Sequence, residues 1–328
     1  MTEPVGVVAR RPADTSESSL HGAKTMTSPT RILGTLLLGL ALAACSVAGG
    51  GASPSPSASA NSAGITYPTG SDDLVVRLRY VGGFAPPSAH MLGLPVISVY
   101  GDGTVLVPGA VPAIYPGPAL SPLQLATITP AGMQVLLEAA REAGLLGPDA
   151  HYDLGGIMDA TSSEFTVNAE GSVHTVSAYA LFESGGRDPQ NPGADPAVME
   201  ARAKLLTFQN QLANLEALLG PDVGDATPYV PTALQLLVTD GAPVDEQALG
   251  QEPIAWPLDA PLADFGEAMP SLIMGERCGV ASGSDAEKLI PLAQAANTLT
   301  PWTDGDGVFG IAFRPLLPGE PGCPAPEA

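Results

Sequence analysis

The 328-residue sequence predicts an α+β fold, in which antiparallel β-hairpins pack with two main helices and a small C-terminal lobe follows. Two hairpin signatures and two helices with matching start and stop signals carry that prediction. So does the lack of any strand–helix–strand alternation of the kind that builds a parallel sheet.

The body is expected to begin near Leu74. Val76, Leu78 and Tyr80 alternate with Arg77 and Arg79, as in a half-buried strand. The two arginines then share a face, where they either hold an anionic ligand or balance neighbouring carboxylates. Val96 to Tyr100, the turn Gly101-Asp102-Gly103, and Thr104 to Val107 read as a hairpin, because Asp-Gly tolerates the positive φ of a tight turn. Thr129-Pro130 supplies a hydroxyl cap and a proline at the first helical position. Met133, Leu136, Leu137 and Ala140 form the stripe of that helix, which runs out near Gly144. A second hairpin runs from Glu164 to Asn168, turns at Glu170-Gly171 and returns from Val173 to Tyr179.

Asp195-Pro196 opens the longest helix. Its stripe is Val198, Leu205, Phe208, Leu212, Leu215 and Leu219, and Gly220 ends it. Ala233 to Thr239 reads as a strand and closes a body placed at 74–240. The Pro- and acid-rich stretch 241–270 is a connector, either a true linker or an irregular covering segment. The lobe at 271–328 holds a helix from Ser284 to Ala296 and a strand from Val308 to Arg314, with Cys278 and Cys323 on either side.

Composition narrows the functional classes. The net charge of −21 repels phosphates, which argues against nucleic acid and against a polybasic membrane surface. No apolar stretch reaches the roughly 18 residues needed to span a bilayer. A shorter one does occur near the N-terminus. Arg31 precedes the 13-residue run from Ile32 to Ala44, the length of a signal-peptide core, and the run ends in Leu42-Ala43-Ala44-Cys45. Met26 makes the better start, because it leaves a short basic region before the core; a long leader from Met1 is the alternative.

The Leu42 to Cys45 box resembles the lipobox of bacterial lipoproteins. That resemblance implies a signal peptide over 1–44, and cleavage that leaves a diacylglyceryl group, palmitate among its acyl chains, on Cys45. The protein then sits on the outer face of the plasma membrane, held by lipid. Its mature chain carries 9 basic and 31 acidic residues. Two acyl chains anchor stably without a protein segment in the membrane. Residues 45–73 are then the lipidated N-terminus and a flexible linker, since 16 of the 18 residues from Ser46 to Ala63 are Gly, Ala, Ser or Pro. Further along, Tyr100 to Gly103, Ala143 to Leu146, Tyr152 with Asp159, and Thr300-Pro301-Trp302 followed by Arg314 to Pro318 and Cys323 form a wider pattern. Together they are similar to a set of envelope lipoproteins of high-GC Gram-positive bacteria. This likeness implies the same location and no activity.

With Cys45 taken by lipid and the chain exported, Cys278 and Cys323 are expected to form a disulfide that closes the C-terminal lobe.

Catalytic and cofactor motifs are scarce. No catalytic residue, metal site or cofactor is assigned. Gly305-x-Gly307-x-x-Gly310 has the dinucleotide spacing but follows Pro301-Trp302-Thr303 and precedes a strand, so it reads as a turn. Asp304-x-Asp306 begins like a calcium loop, yet Val308 and Pro315 fall where further oxygen ligands belong. The three histidines after residue 44 are His90, His151 and His174, without zinc spacing; His174 reads as a sheet residue. Trp256 and Trp302 read as core plugs in preference to partner anchors. The polar cluster worth following is His151, Asp153, Asp159 and Glu164, where carboxylates near a histidine suit acid–base work or simple loop capping.

The sequence therefore points to a lipid-anchored protein with a non-catalytic binding or scaffolding role toward an envelope protein or ligand. The alternatives are a hydrolase-like envelope enzyme with a site built from scattered residues, and a lipid carrier with an apolar groove.

Overall fold

In order along the chain, the elements are β1 (Leu74–Gly82), α1 (Pro87–Leu92), β2 (Ile97–Tyr100), β3 (Thr104–Pro108), β4 (Leu123–Thr127), α2 (Pro130–Glu142), β5 (Ala150–Tyr152), β6 (Thr161–Ala169) and β7 (Ser172–Tyr179). Then come α3 (Pro196–Leu212), α4 (Leu215–Leu219), β8 (Thr227–Tyr229), β9 (Ala233–Asp240), β10 (Ile254–Ala255), β11 (Glu267–Ala268), β12 (Arg277–Ser282), α5 (Ser284–Ala295), β13 (Trp302–Asp304) and β14 (Gly307–Pro315). This computed structural model describes residues 64–153, 156–182, 195–247, 249–269 and 276–323. By its contacts the chain divides at Ala58, and every described residue belongs to the second unit.

The α+β class holds. The strands form two sheets, ordered β5-β7-β6-β1-β2-β3-β4-β8 and β10-β13-β14-β9-β12-β11. Pairing is antiparallel except for β5 with β7 and β10 with β13. Both hairpins occur as expected, with Ser98 opposite Leu106 in one and Phe165 opposite Val176 in the other. They do not form a self-contained β-β-α-β-β unit, because β1 joins them by pairing with β2 on one side and β6 on the other.

Each sheet buries one face under helices. In the larger sheet Val76, Leu78, Ile97, Val99, Phe165, Val167 and Val176 meet Met133, Leu136, Leu137, Leu205, Phe208 and Leu212 of α2 and α3. Thr129 caps α2 by accepting the Gly132 N–H, and Asp195 caps α3 by accepting that of Ala197. The single long helix expected from Asp195 to Gly220 is interrupted after Leu212. There Asn214 accepts from the Ala217 N–H and starts α4 afresh, since its short amide competes for the backbone.

In the smaller sheet Leu234, Leu236 and Val238 of β9 lie with Ile311, Phe313 and Trp302 under Leu289, Ile290 and Ala293 of α5. Trp302 and Trp256 are buried and meet edge to face at 6.3 Å, as core plugs should. The described residues of the stretch 241–270 form a covering segment: Trp256, Leu258 and Leu262 close that core. Of the Gly305 to Gly310 pattern, Gly305-Asp306 make the turn between β13 and β14 while Gly307 and Gly310 lie in β14, so no helix follows, and Asp304 accepts the Leu262 N–H at 2.7 Å.

Two boundaries differ from expectation. Strand β9, assigned to a body ending at residue 240, lies between β14 and β12 in the smaller sheet, so the division between the sheets falls between Tyr229 and Ala233. Its partners come 37 or more residues later, beyond the reach of any local pattern. The expected linker also ends earlier, for residues 64–73 pack on the body. Ile65 is buried, and its backbone N–H and C=O both bond the Gln134 amide, at 2.9 and 3.0 Å. An Ile-Thr-Tyr stretch offers apolar area that the preceding Gly/Ser/Ala/Pro run does not.

The disulfide between Cys278 and Cys323 is present, with Cα atoms 5.8 Å apart. It ties the end of the segment 316–323 to β12.

Candidate functional site

The face of each sheet without long helices looks toward the other sheet. Two short pieces fill part of the space between them. Met91 and Leu92 of α1 pack with Leu237, Ala312 and the disulfide on the smaller sheet. Leu317 packs with Tyr100, Leu106 and Leu123 on the larger one. Each sheet is thus covered by an extension of the other.

A polar strip crosses the open face of the larger sheet. Strand register aligns His151 with Ser177, Ser177 with Glu164, and Glu164 with Arg79, one residue from each of β5, β7, β6 and β1. His151 Nδ1 lies 3.2 Å from Ser177 Oγ, and its Nε2 lies 2.9 Å from Asp153 Oδ1. Glu164 accepts a 2.7 Å hydrogen bond from Arg79 Nε. Of the four residues singled out in sequence, His151 and Asp153 therefore bond each other and Glu164 lies in the same row. Asp159 sits in the loop before β6 with φ near +60°, exposed, and no hydrogen bond joins it to the others among the described residues.

A serine, a histidine and an aspartate in hydrogen-bonded series invite comparison with a nucleophile chain. The backbone argues against that chemistry. Ser177 lies in β7, between β5 and β6, so the N–H groups around it are spent in the two ladders and none can stabilise an oxyanion. The Asp153 side chain is 83% exposed, so water screens its effect on the imidazole.

Alongside this strip lies a cleft of about 380 Å³ between the sheets, walled by Arg77, Arg79, Met91, Gln235, Arg314 and Glu320. It gathers three arginines in a protein of net charge −21. Arg314 is fully engaged: Nε donates to the Gly93 carbonyl at 3.2 Å, and the two terminal nitrogens hold Glu320 at 2.7 and 2.9 Å. Glu320 also accepts the Leu317 N–H at 3.1 Å. Arg77 comes no closer to Glu320 than 3.8 Å. Burial, and next the charge of Arg79, hold the Arg77 guanidinium below the usual arginine range. Buried Tyr100 has its hydroxyl pushed up by burial and by the Glu320 carboxylate.

Glu320 and Gln235 were not singled out in sequence, and Arg314 entered only as a strand end and as part of the wider lipoprotein-like pattern. Glu320 stands in a Pro- and Gly-rich tail with no local pattern, and only the disulfide pair at 278 and 323 hinted that this tail is held down.

Other expected residues have structural roles. His174 Nδ1 meets the Gly147 carbonyl at 2.7 Å. A second, more apolar groove of about 750 Å³ runs between residues 230–233 and α5, lined by Val230, Pro231, Ala286, Ile290 and Pro291. Among the described residues its charged lining is Glu287 alone, with no cation to meet a lipid phosphate. No group of three or more potential metal ligands converges among the described residues. Cys45 and the lipobox lie outside the described residues.

No family model matches the chain, and searches of curated proteins and of solved structures return no match.

Proposed function

We propose that this is an extracytoplasmic protein held by lipid at Cys45 on the outer face of the plasma membrane, and that its body binds a ligand or envelope partner without transforming it. The cleft between the sheets carries the binding half of this reading. It concentrates three arginines in an acidic molecule, at a place where both sheets contribute. Binding sites tend to form at such seams, where a concave surface collects a few convergent polar groups. The only serine–histidine–aspartate series among the described residues lies on an exposed sheet face without oxyanion donors, which favours binding over hydrolysis.

The anchoring half rests on the sequence: a basic flank, a 13-residue apolar core, the box ending at Cys45, and the Gly/Ser/Ala/Pro run behind it. Replacing Cys45 with Ala and fractionating cells tests it. Wild-type protein is expected in the membrane fraction, and Cys45→Ala in the soluble fraction or retained as uncleaved precursor of higher mass. A variant of mature mass that stays in the membrane refutes the anchor.

A further inference from the structure

We propose that the inter-sheet cleft is a site for a small ligand bearing a single oxyanion group, a carboxylate or a phosphate ester, and that Arg77 is the residue that receives it. This rests on the binding reading above and gives it a ligand class.

The charge inventory of the cleft leads there. Glu320 is committed to Arg314 by a two-point contact, and Glu164 to Arg79 by a 2.7 Å hydrogen bond. Arg77 is left with a 3.8 Å approach to Glu320, too long for a hydrogen bond, and its Nε finds no acceptor. Two carboxylates thus face three guanidiniums, an excess of one positive charge. A partly desolvated, under-partnered guanidinium gains most from an oxyanion, because the contact is charge-assisted and two-pronged. The side chain remains 24% exposed and lines the cleft, so an entering group can reach it.

The surroundings restrict what enters. Thr166 and Ser98 flank Arg77 in the strand register, Ser98 fully buried. Met91 and Pro321 supply apolar walls, and His90 stands at the margin. A volume of about 380 Å³ is at the small end of ligand pockets. The acidic surface repels polyanions, whereas a single charge with an apolar body matches one excess arginine between apolar walls.

Titration calorimetry on the exported, detergent-extracted protein tests this, with benzoate and phenyl phosphate as separate probes and sodium chloride matched throughout. Saturable binding of at least one probe is expected, and which one binds tells a carboxylate from a phosphate ester. Arg77→Gln should weaken it by about tenfold or more, with a smaller loss for Arg77→Lys, which keeps the charge without the fork. Should Arg77→Gln not fold, hydrogen exchange of the wild type decides, with probe-dependent protection expected at 77–79, 90–93 and 320–322. Absence of saturable binding by both probes, equal affinity in Arg77→Gln, or protection confined to other segments overturns the proposal. Failure of the anchor at Cys45 leaves this titration untouched, and an anchored protein that binds neither probe loses the cleft site but not its location.

Discussion

Tyr100 shows how one side chain links the cleft to stability. It is 1% exposed, and burial followed by the Glu320 carboxylate pushes its hydroxyl above the ordinary tyrosine value of about 10. The unfolded chain loses that proton near the ordinary value while the native chain keeps it. Native stability from this group is therefore complete below about pH 10 and drains away above it. Tyr229, raised by burial and by Asp72, acts in the same direction. The urea midpoint should fall as pH rises above about 10, and Tyr100→Phe should make the fall shallower. An identical fall in the variant would place the effect elsewhere. Single residues were unevenly legible in the sequence. The caps Thr129 and Asp195 were readable because a cap acts on its own helix within three residues. The pairing of Arg79 with Glu164 was not, although both were singled out. They are 85 residues apart, and only the β1–β6 register brings them together.

At the scale of elements, legibility followed length and locality. Strands of eight or nine residues and helices of twelve or more announced themselves by period and flanking turns, as β6, β7, β9, α2 and α5 did. Short pieces at or near the sheet edges did not: β5, β8, β10, β11 and β13 have two or three residues each, too few to show a period, and exist because a neighbouring strand offers free backbone groups. The segment 316–323 has no regular structure at all, yet it places Glu320 against Arg314. Its far end is fixed by the Cys278–Cys323 bond, across a separation of 45 residues. In the chain-entropy picture such a closure contributes roughly 4 kcal/mol, a large share of a stability of about 5–15 kcal/mol. Reduction should lower the melting temperature and raise hydrogen exchange in 316–323 before it does so in β6 and β7. Intact mass after denaturing alkylation checks the premise, because two alkylated cysteines in unreduced, exported protein would contradict the bond.

For the whole molecule, the sequence conveyed the α+β class but grouped β9 with the wrong strands. A chain read from left to right attaches β9 to what precedes it, whereas hydrogen bonding attaches it to β12 and β14, which follow. The N-terminal edge was misplaced for a related reason, since Ile65 finds its partners on α2 about 69 residues on. A protein beginning at Leu74 should be less stable than one beginning at Gly64 by about 2 kcal/mol, the worth of burying one large aliphatic side chain. Comparing urea midpoints measures this, and equal midpoints would show that 64–73 contribute nothing. The Ile65 clamp also decides where mechanical load would enter. A pull on the chain entering at Gly64 arrives at Gln134 of α2 and, through the Thr66 carbonyl that accepts the Glu170 N–H, at the β6–β7 turn. Ile65 packs with the helices on one face of the larger sheet, and the arginine cleft opens on the other. Tension applied at Ile65 would load the clamp before it deformed the cleft, so the arginines there would keep their geometry under load.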